Sequence, residues 1–283
     1  MRLRLCLILA LAASACTSAP PAQTATVTSE SSPTRRPTPR ATAPASPTSA
    51  PTSPSCREKP GTIQVSEYLD DDLPRSIPFR IYLPACYEET HPEPLPVLLL
   101  LHGLQATDQQ WQDLGVAAAA DRLIAAGEVP PFLIVMPWER RGLEFETALV
   151  EHLLPHIQAD FRGTRERSRL AIGGLSRGAG WAMRIGLKHA HVFGSVGLHS
   201  PAVLAPDLYY VPQWVDTIQE DGRPRLWIDI GDHDSLRASV FELKEVLDGL
   251  EYEYRWTFDP GDHTAEYWFS HLEAYLLWYT EFW

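Results

Sequence analysis

Ser176 sits in the pentad Gly174-Leu175-Ser176-Arg177-Gly178, a G-x-S-x-G pattern. The apolar run Leu170-Ala171-Ile172 before it reads as a buried strand, and Gly178 to Lys188 after it reads as a helix. Strand, sharp turn and helix in that order form an elbow that lifts a serine hydroxyl to a helix N-terminus. There backbone N–H groups and the helix dipole favour negative charge. Such a serine becomes a nucleophile only if a base can take its proton and an acid can orient that base.

The base is expected at His263, in the loop Asp259-Pro260-Gly261-Asp262-His263 that follows a late strand. His271 competes, but it falls inside the last amphipathic helix and reads as a packing or surface residue. His152, His156, His189 and His191 have no company that suggests a metal, and no His-Glu-x-x-His run occurs, so no zinc site is expected. The acid should follow the strand before the histidine's strand. Three aspartates compete around Leu226-Trp227-Ile228-Asp229-Ile230-Gly231-Asp232-His233-Asp234. Asp229 lies within the strand. Asp234 is preferred because it stands farther out in the loop, where it can turn toward a histidine, and Asp232 is the runner-up. Two backbone amides must hold a developing oxyanion. One belongs to Arg177, the residue after the serine. The other is assigned to Leu104, in the loop His102-Gly103-Leu104-Gln105, with His102 shaping that loop.

These residues need a scaffold that gathers them at one edge. Ile63 to Leu69 and Ile77 to Leu83 read as an antiparallel pair. Val97 to Leu101 and Phe132 to Met136 are continuous apolar runs, as suits strands buried on both faces of a parallel sheet. Further strands are expected at Leu170 to Ile172, Gly194 to Leu198, Leu226 to Ile230 and Tyr252 to Phe258. Between them lie helical patterns at Val116 to Ala126, Phe145 to Phe161 with a bend at Pro155, Gly178 to Lys188, Leu236 to Leu250 and Glu266 to Trp278. Alternating strand and helix predicts an α/β architecture, a mostly parallel sheet covered on both faces.

The chain has 283 residues and a net charge of −12, unevenly spread. Residues 1–55 carry five arginines and one acid, a net of +4, which leaves −16 on residues 56–283. So acidic a body repels nucleic-acid phosphates and anionic lipid. Arg2 and Arg4, then Leu5 to Ala13, then Ala13-Ser14-Ala15 before Cys16 read as an export signal. Leu11-Ala12-Ala13-Ser14-Ala15-Cys16 also resembles a bacterial lipobox, which would make Cys16 the lipid anchor and the chain's one contact with a membrane. Residues 17–55 draw 33 of their 39 positions from Pro, Thr, Ser and Ala, too few apolar groups to offset ordering entropy, so they read as a spacer. Residues 56–283 form the domain. Cys56 and Cys86, an even pair in an exported chain, are expected to form a disulfide.

Taken together, these segments resemble the bacterial Putative esterase family of α/β-hydrolases. That family includes S-formylglutathione hydrolases, feruloyl and acetylxylan esterases, enterochelin esterases and mycolyltransferases. The resemblance runs from about Ile77 to the C-terminus. It rests on Leu99-Leu100-Leu101-His102-Gly103 with Trp111, Val135-Met136-Pro137, Leu153 to Ile157, Ala171 to Gly178, Lys188 to Ser195, Gly231 to Asp234, and Gly261-Asp262-His263 with Trp268. It implies the α/β-hydrolase fold and a Ser176, Asp234 and His263 triad. It also implies hydrolysis of a carboxylic ester, small or polysaccharide-linked, with no metal or organic cofactor. Arg177 departs from the family's frequent Met; it should either place a cation near the acyl pocket or pair with an acid behind the elbow. The same chemistry could pass the acyl group to an alcohol instead of water. A chain that kept the fold without catalysis could display its nine Trp to a polysaccharide.

Overall fold

The computed structural model describes Cys56, residues 59–87 and residues 93–283. The expected export signal, Cys16 and the spacer over 17–55 lie outside the described residues.

Eight strands form one sheet. They are β1 (Thr62–Tyr68), β2 (Ile77–Leu83), β3 (Val97–Leu101), β4 (Leu133–Pro137), β5 (Leu170–Leu175), β6 (Ser195–His199), β7 (Arg225–Gly231) and β8 (Arg255–Asp259). Their order is β1-β2-β4-β3-β5-β6-β7-β8. β1 with β2 and β2 with β4 run antiparallel, and the pairs from β4 across to β8 run parallel. The carboxyl ends of β3 through β8 therefore open onto one edge, and the loops there can meet.

The longer helices are α1 (Val116–Ala126), α2 (Phe145–Thr147, continued through Ala148–Leu153 and Leu154–Asp160), α3 (Arg177–Lys188), α4 (Ala205–Asp216), α5 (Arg237–Gly249) and α6 (Ala265–Thr280), and a single turn spans Gln110–Asp113. The apolar run of β3 shows why strand residues are apolar at every position. Val97, Leu99 and Leu101 pack toward α2, α3, α4 and α5, while Leu98 and Leu100 pack toward α1 and α6. Both faces are covered, so neither alternate set meets water.

Two expectations are corrected and one helix is added. The last strand starts at Arg255, because Tyr252 turns into the core and its hydroxyl donates to Pro224 O at 2.8 Å. Leu149, Leu153 and Ile157 do form one buried face of α2, but the helix widens to π geometry over Ala148–Leu153 just before Pro155. Helix α4 was not predicted: Pro206 and Pro212 interrupt its apolar spacing, although Pro206 falls in the first turn, where proline is tolerated.

Cys56 and Cys86 are joined as a disulfide, with Cα atoms 5.6 Å apart. The bond fastens the start of the described chain beyond the end of β2. Because β2 runs against β4, that end lies opposite the edge where the parallel strands terminate.

Candidate active site

β5 ends at Leu175, α3 begins at Arg177, and Ser176 alone makes the turn, at φ +54° and ψ −116°. A non-glycine residue there is strained by roughly 1–3 kcal/mol and needs its surroundings to hold it. The two flanking glycines show how tight the turn is. A Cβ on Gly174 would stand 2.4 Å from the Gly178 carbonyl carbon, and one on Gly178 would stand 2.3 Å from Leu101 O. Strand β5, helix α3 and the end of β3 touch through backbone alone.

The Ser176 N–H donates to His199 O at 3.0 Å, and Ser176 O accepts from Ala202 N at 2.9 Å. The serine is thus tied on both sides to the neighbouring loop after β6.

Asp234 follows β7 and His263 follows β8. His263 Nδ1 lies 2.8 Å from Asp234 Oδ2, while Asp234 Oδ1 accepts from Leu236 N at 2.8 Å. Asp234 is 1% exposed. Burial pushes its carboxyl up, but His263, the Leu236 amide and the nearby Ser200 hydroxyl outweigh that and hold it below the ordinary 3.8. It is a carboxylate at neutral pH. The His263 ring packs edge-on against Trp268 with centroids 5.1 Å apart, and Trp268 Nε1 donates to Ser200 Oγ at 3.1 Å. Ser200 in turn neighbours Ser176, since Leu175 pairs with His199 in the sheet register. The histidine loop is thereby drawn back from β8 toward β5. Among the described residues no hydrogen bond joins Ser176 Oγ to His263, whose ring is bonded to Asp234.

The competitors are placed elsewhere. Asp232 Oδ1 accepts from Gly261 N at 2.9 Å, so it braces the histidine's loop without touching the ring. Asp229 is fully buried, with His199 Nδ1 at 2.5 Å and Tyr275 OH at 2.8 Å. His271, in α6, meets Asp259 at the end of β8 and the carbonyl of Tyr267 one turn back in its own helix.

On the other side of the serine, Gly103 approaches so closely that its Cβ would stand 3.6 Å from that of Ser176. Gly103 N donates to Gln110 Oε1 at 2.7 Å, which pins the loop. Among the described residues neither the Leu104 nor the Arg177 amide has a protein acceptor. Both N–H groups are open to another acceptor. The Arg177 side chain turns to Glu139, with Nε 2.7 Å from Oε2 and a second contact from Nη2 to Oε1. Of the two expected roles for that cation, the structure shows pairing with an acid.

Glu139, His199, Ser200 and Gln110 were not foreseen. For His199 and Ser200 a signal existed: polar residues at the carboxyl end of a buried parallel strand face the edge where ligands bind. Glu139 carries no local pattern. Among the described residues no group of three or more His, Cys, Asp or Glu side chains is placed to hold a metal ion.

The comparisons with known proteins point the same way as this geometry. Residues 71–279 match the family described as Putative esterase. The chain belongs to that family. A xylanase/feruloyl esterase of Xylanibacter ruminicola is 29% identical over 174 residues, covering 56% of this chain and 24% of that protein. An esterase of Mycobacterium tuberculosis is 33% identical over 135 residues, 43% of this chain and 28% of that protein. The chain thus spans about a quarter of the length of the curated relatives it matches. Among solved structures, a ferulic acid esterase superposes with a TM-score of 0.70 at 25% identity, over 78% of this chain and 98% of that one. A fluorophosphonate-binding serine hydrolase of Staphylococcus aureus gives 0.68 at 18% identity, over 78% and 99%. The sheet and its helices have the α/β-hydrolase fold.

Proposed function

We propose that this chain is an exported, surface-tethered serine carboxylic ester hydrolase that works through an acyl-enzyme intermediate. The observation that carries the reading is the strained turn at Ser176, flanked by the unpartnered Leu104 and Arg177 amides and sharing its sheet edge with the His263–Asp234 pair.

In this reading Ser176 Oγ attacks the ester carbonyl carbon and passes its proton to His263 Nε2. The carbonyl oxygen becomes an oxyanion between the amides of Leu104 and Arg177. Asp234, a carboxylate 2.8 Å from Nδ1, stabilises the imidazolium and fixes its tautomer. Collapse breaks the bond to the alcohol oxygen, which leaves with the proton from His263. Water then attacks the Ser176 ester, giving its proton to His263. The second collapse returns that proton to Oγ and frees the acid.

The loops after β6, β7 and β8 are five residues each, and Leu104 and Leu204 stand exposed beside the serine's loops. This open, apolar approach suits an ester borne on a larger molecule as well as a small one. The names of the relatives, a xylanase/feruloyl esterase and a ferulic acid esterase, favour an aromatic acyl group on a polysaccharide. Export and tethering rest on the pattern of Arg2 to Cys16. A Cys16→Ser chain expressed beside the wild type should lose partition into detergent; equal partition would reject the anchor.

Hydrolysis of a p-nitrophenyl series from acetate to octanoate and of a feruloyl ester tests the activity. Wild type should turn over, and Ser176→Ala should fall by at least about a thousandfold while staying folded. Turnover retained in that variant would reject the assignment.

A further inference from the structure

Two amides from separate loops can share one oxygen only if something fixes the loops to each other. The structure shows a continuous tie between them. His102 Nε2 lies 2.9 Å from the Glu139 N–H, which can only donate, so Nε2 is the bare acceptor. Nδ1 therefore carries the proton and donates to Gly103 O at 2.8 Å. Gly103 O belongs to the same peptide plane as the Leu104 N–H. In a trans peptide those two groups point opposite ways, so pinning the carbonyl aims the amide. His102 is buried, and burial holds its pKa below the ordinary value, which keeps the ring in this neutral form.

The tie continues through the other end of Glu139. Its carboxylate takes the Arg177 guanidinium in a two-point contact. That geometry fixes orientation as well as distance. The backbone of Arg177 supplies the second amide.

Resting on the reading of the site above, we propose that Glu139 is a positioning residue that sets the spacing of the two oxyanion donors. Its amide holds the His102–Leu104 loop, and its carboxylate holds Arg177. The Arg177 side chain is 43% exposed and that of Glu139 17%. A pair this close to solvent adds little to stability. Its effect should appear in the transition state, where the oxyanion forms, and not in substrate binding.

The test compares Glu139→Ala, Arg177→Met and the double variant with wild type. Losing one oxyanion donor outright costs about a hundredfold or more in kcat, so a loosened donor should cost about tenfold. Each single variant should lose about that much kcat, with KM within about twofold and thermal unfolding unchanged. The double variant should be no slower than either single, because both cut the same tie. Full rate in Glu139→Ala would overturn the proposal. So would recovery in the double variant, which would mean that a freed cation, and not a broken tie, had slowed the single. Strictly additive losses would overturn it too. Fluorophosphonate labelling of wild type at Ser176 separates the two levels. Labelling with no effect of Glu139→Ala defeats only this proposal, while no labelling defeats the reading of the site and this proposal with it.

Discussion

The N–H of Ser176 donates to the carbonyl of His199, 3.0 Å away on the adjacent strand end. The His199 ring is itself held with no exposure, between Asp229 at 2.5 Å and the Tyr279 hydroxyl at 3.0 Å, and it stacks on Tyr275 at 3.6 Å. The strained serine therefore hangs from a buried polar cluster beneath the sheet edge. Tyr279 reaches that cluster because Gly173 and Gly197 leave room: a Cβ on either would overlap its hydroxyl.

Tyr279→Phe strips one buried partner from His199 and leaves its Nε2 unsatisfied. The expected loss is about 1–3 kcal/mol of unfolding free energy. Urea unfolding of the two proteins measures it, and an unchanged midpoint would show that the cluster does not support the fold.

Asp234→Asn should lower kcat by about a thousandfold or more, because an amide cannot hold the His263 tautomer or stabilise its cation. Asp232→Asn keeps an oxygen that can still accept from Gly261 N, and it should stay within about tenfold of wild type. Steady-state kinetics on one substrate ranks the two aspartates. The reverse order would make Asp232 the acid.

Acid should destabilise the protein in two stages. The folded pKa of His102 lies below its ordinary 6.5, because burial disfavours the charged ring. Between those values the unfolded chain binds a proton that the folded chain does not, so stability is lost as pH falls below 6.5. Asp234 has a folded value below 3.8, where burial is outweighed by its hydrogen bonds to His263, the Leu236 amide and Ser200. Its contribution is present above that value and is lost at lower pH still. Urea midpoints across this range should fall in that order, and His102→Gln should flatten the upper stage. The same upper slope in the variant would contradict the assignment.

The Cys56–Cys86 bond closes a loop with a sequence separation of 30 and lies away from the carboxyl edge of the sheet. Replacing both with Ser should cost about 3 kcal/mol of stability and leave kcat unchanged. Paired unfolding and kinetic measurements check both halves. A fall in kcat at a temperature where the variant is folded would mean that the bond also shapes the site.

Legibility in the sequence followed chain distance. The elbow at Ser176 was readable because strand, glycines and helix are contiguous, and the mostly parallel sheet followed from buried runs separated by helical patterns. His263 and Asp234 were readable as loop residues after late strands; the sequence preferred Asp234 over Asp232 only by its place farther out in the loop, and the structure sets Asp234 Oδ2 2.8 Å from the ring. The supporting residues were not readable, because their partners are remote. His199 meets Asp229 across 30 positions and Tyr279 across 80, and Glu139 meets His102 and Arg177 across 37 and 38. Tyr252 was misplaced in β8 because an apolar ring with a polar tip fits a strand pattern equally well as a core residue that caps a loop carbonyl.

The central claim is that Ser176 is an activated nucleophile. Intact-mass analysis after fluorophosphonate treatment tests it most directly, with Ser176→Ala and Asp234→Asn alongside. The account predicts one adduct on wild type, mapped by peptide digestion to Ser176, none on Ser176→Ala, and much slower labelling of Asp234→Asn. A folded wild type that takes no adduct, or takes it at another serine, would contradict it.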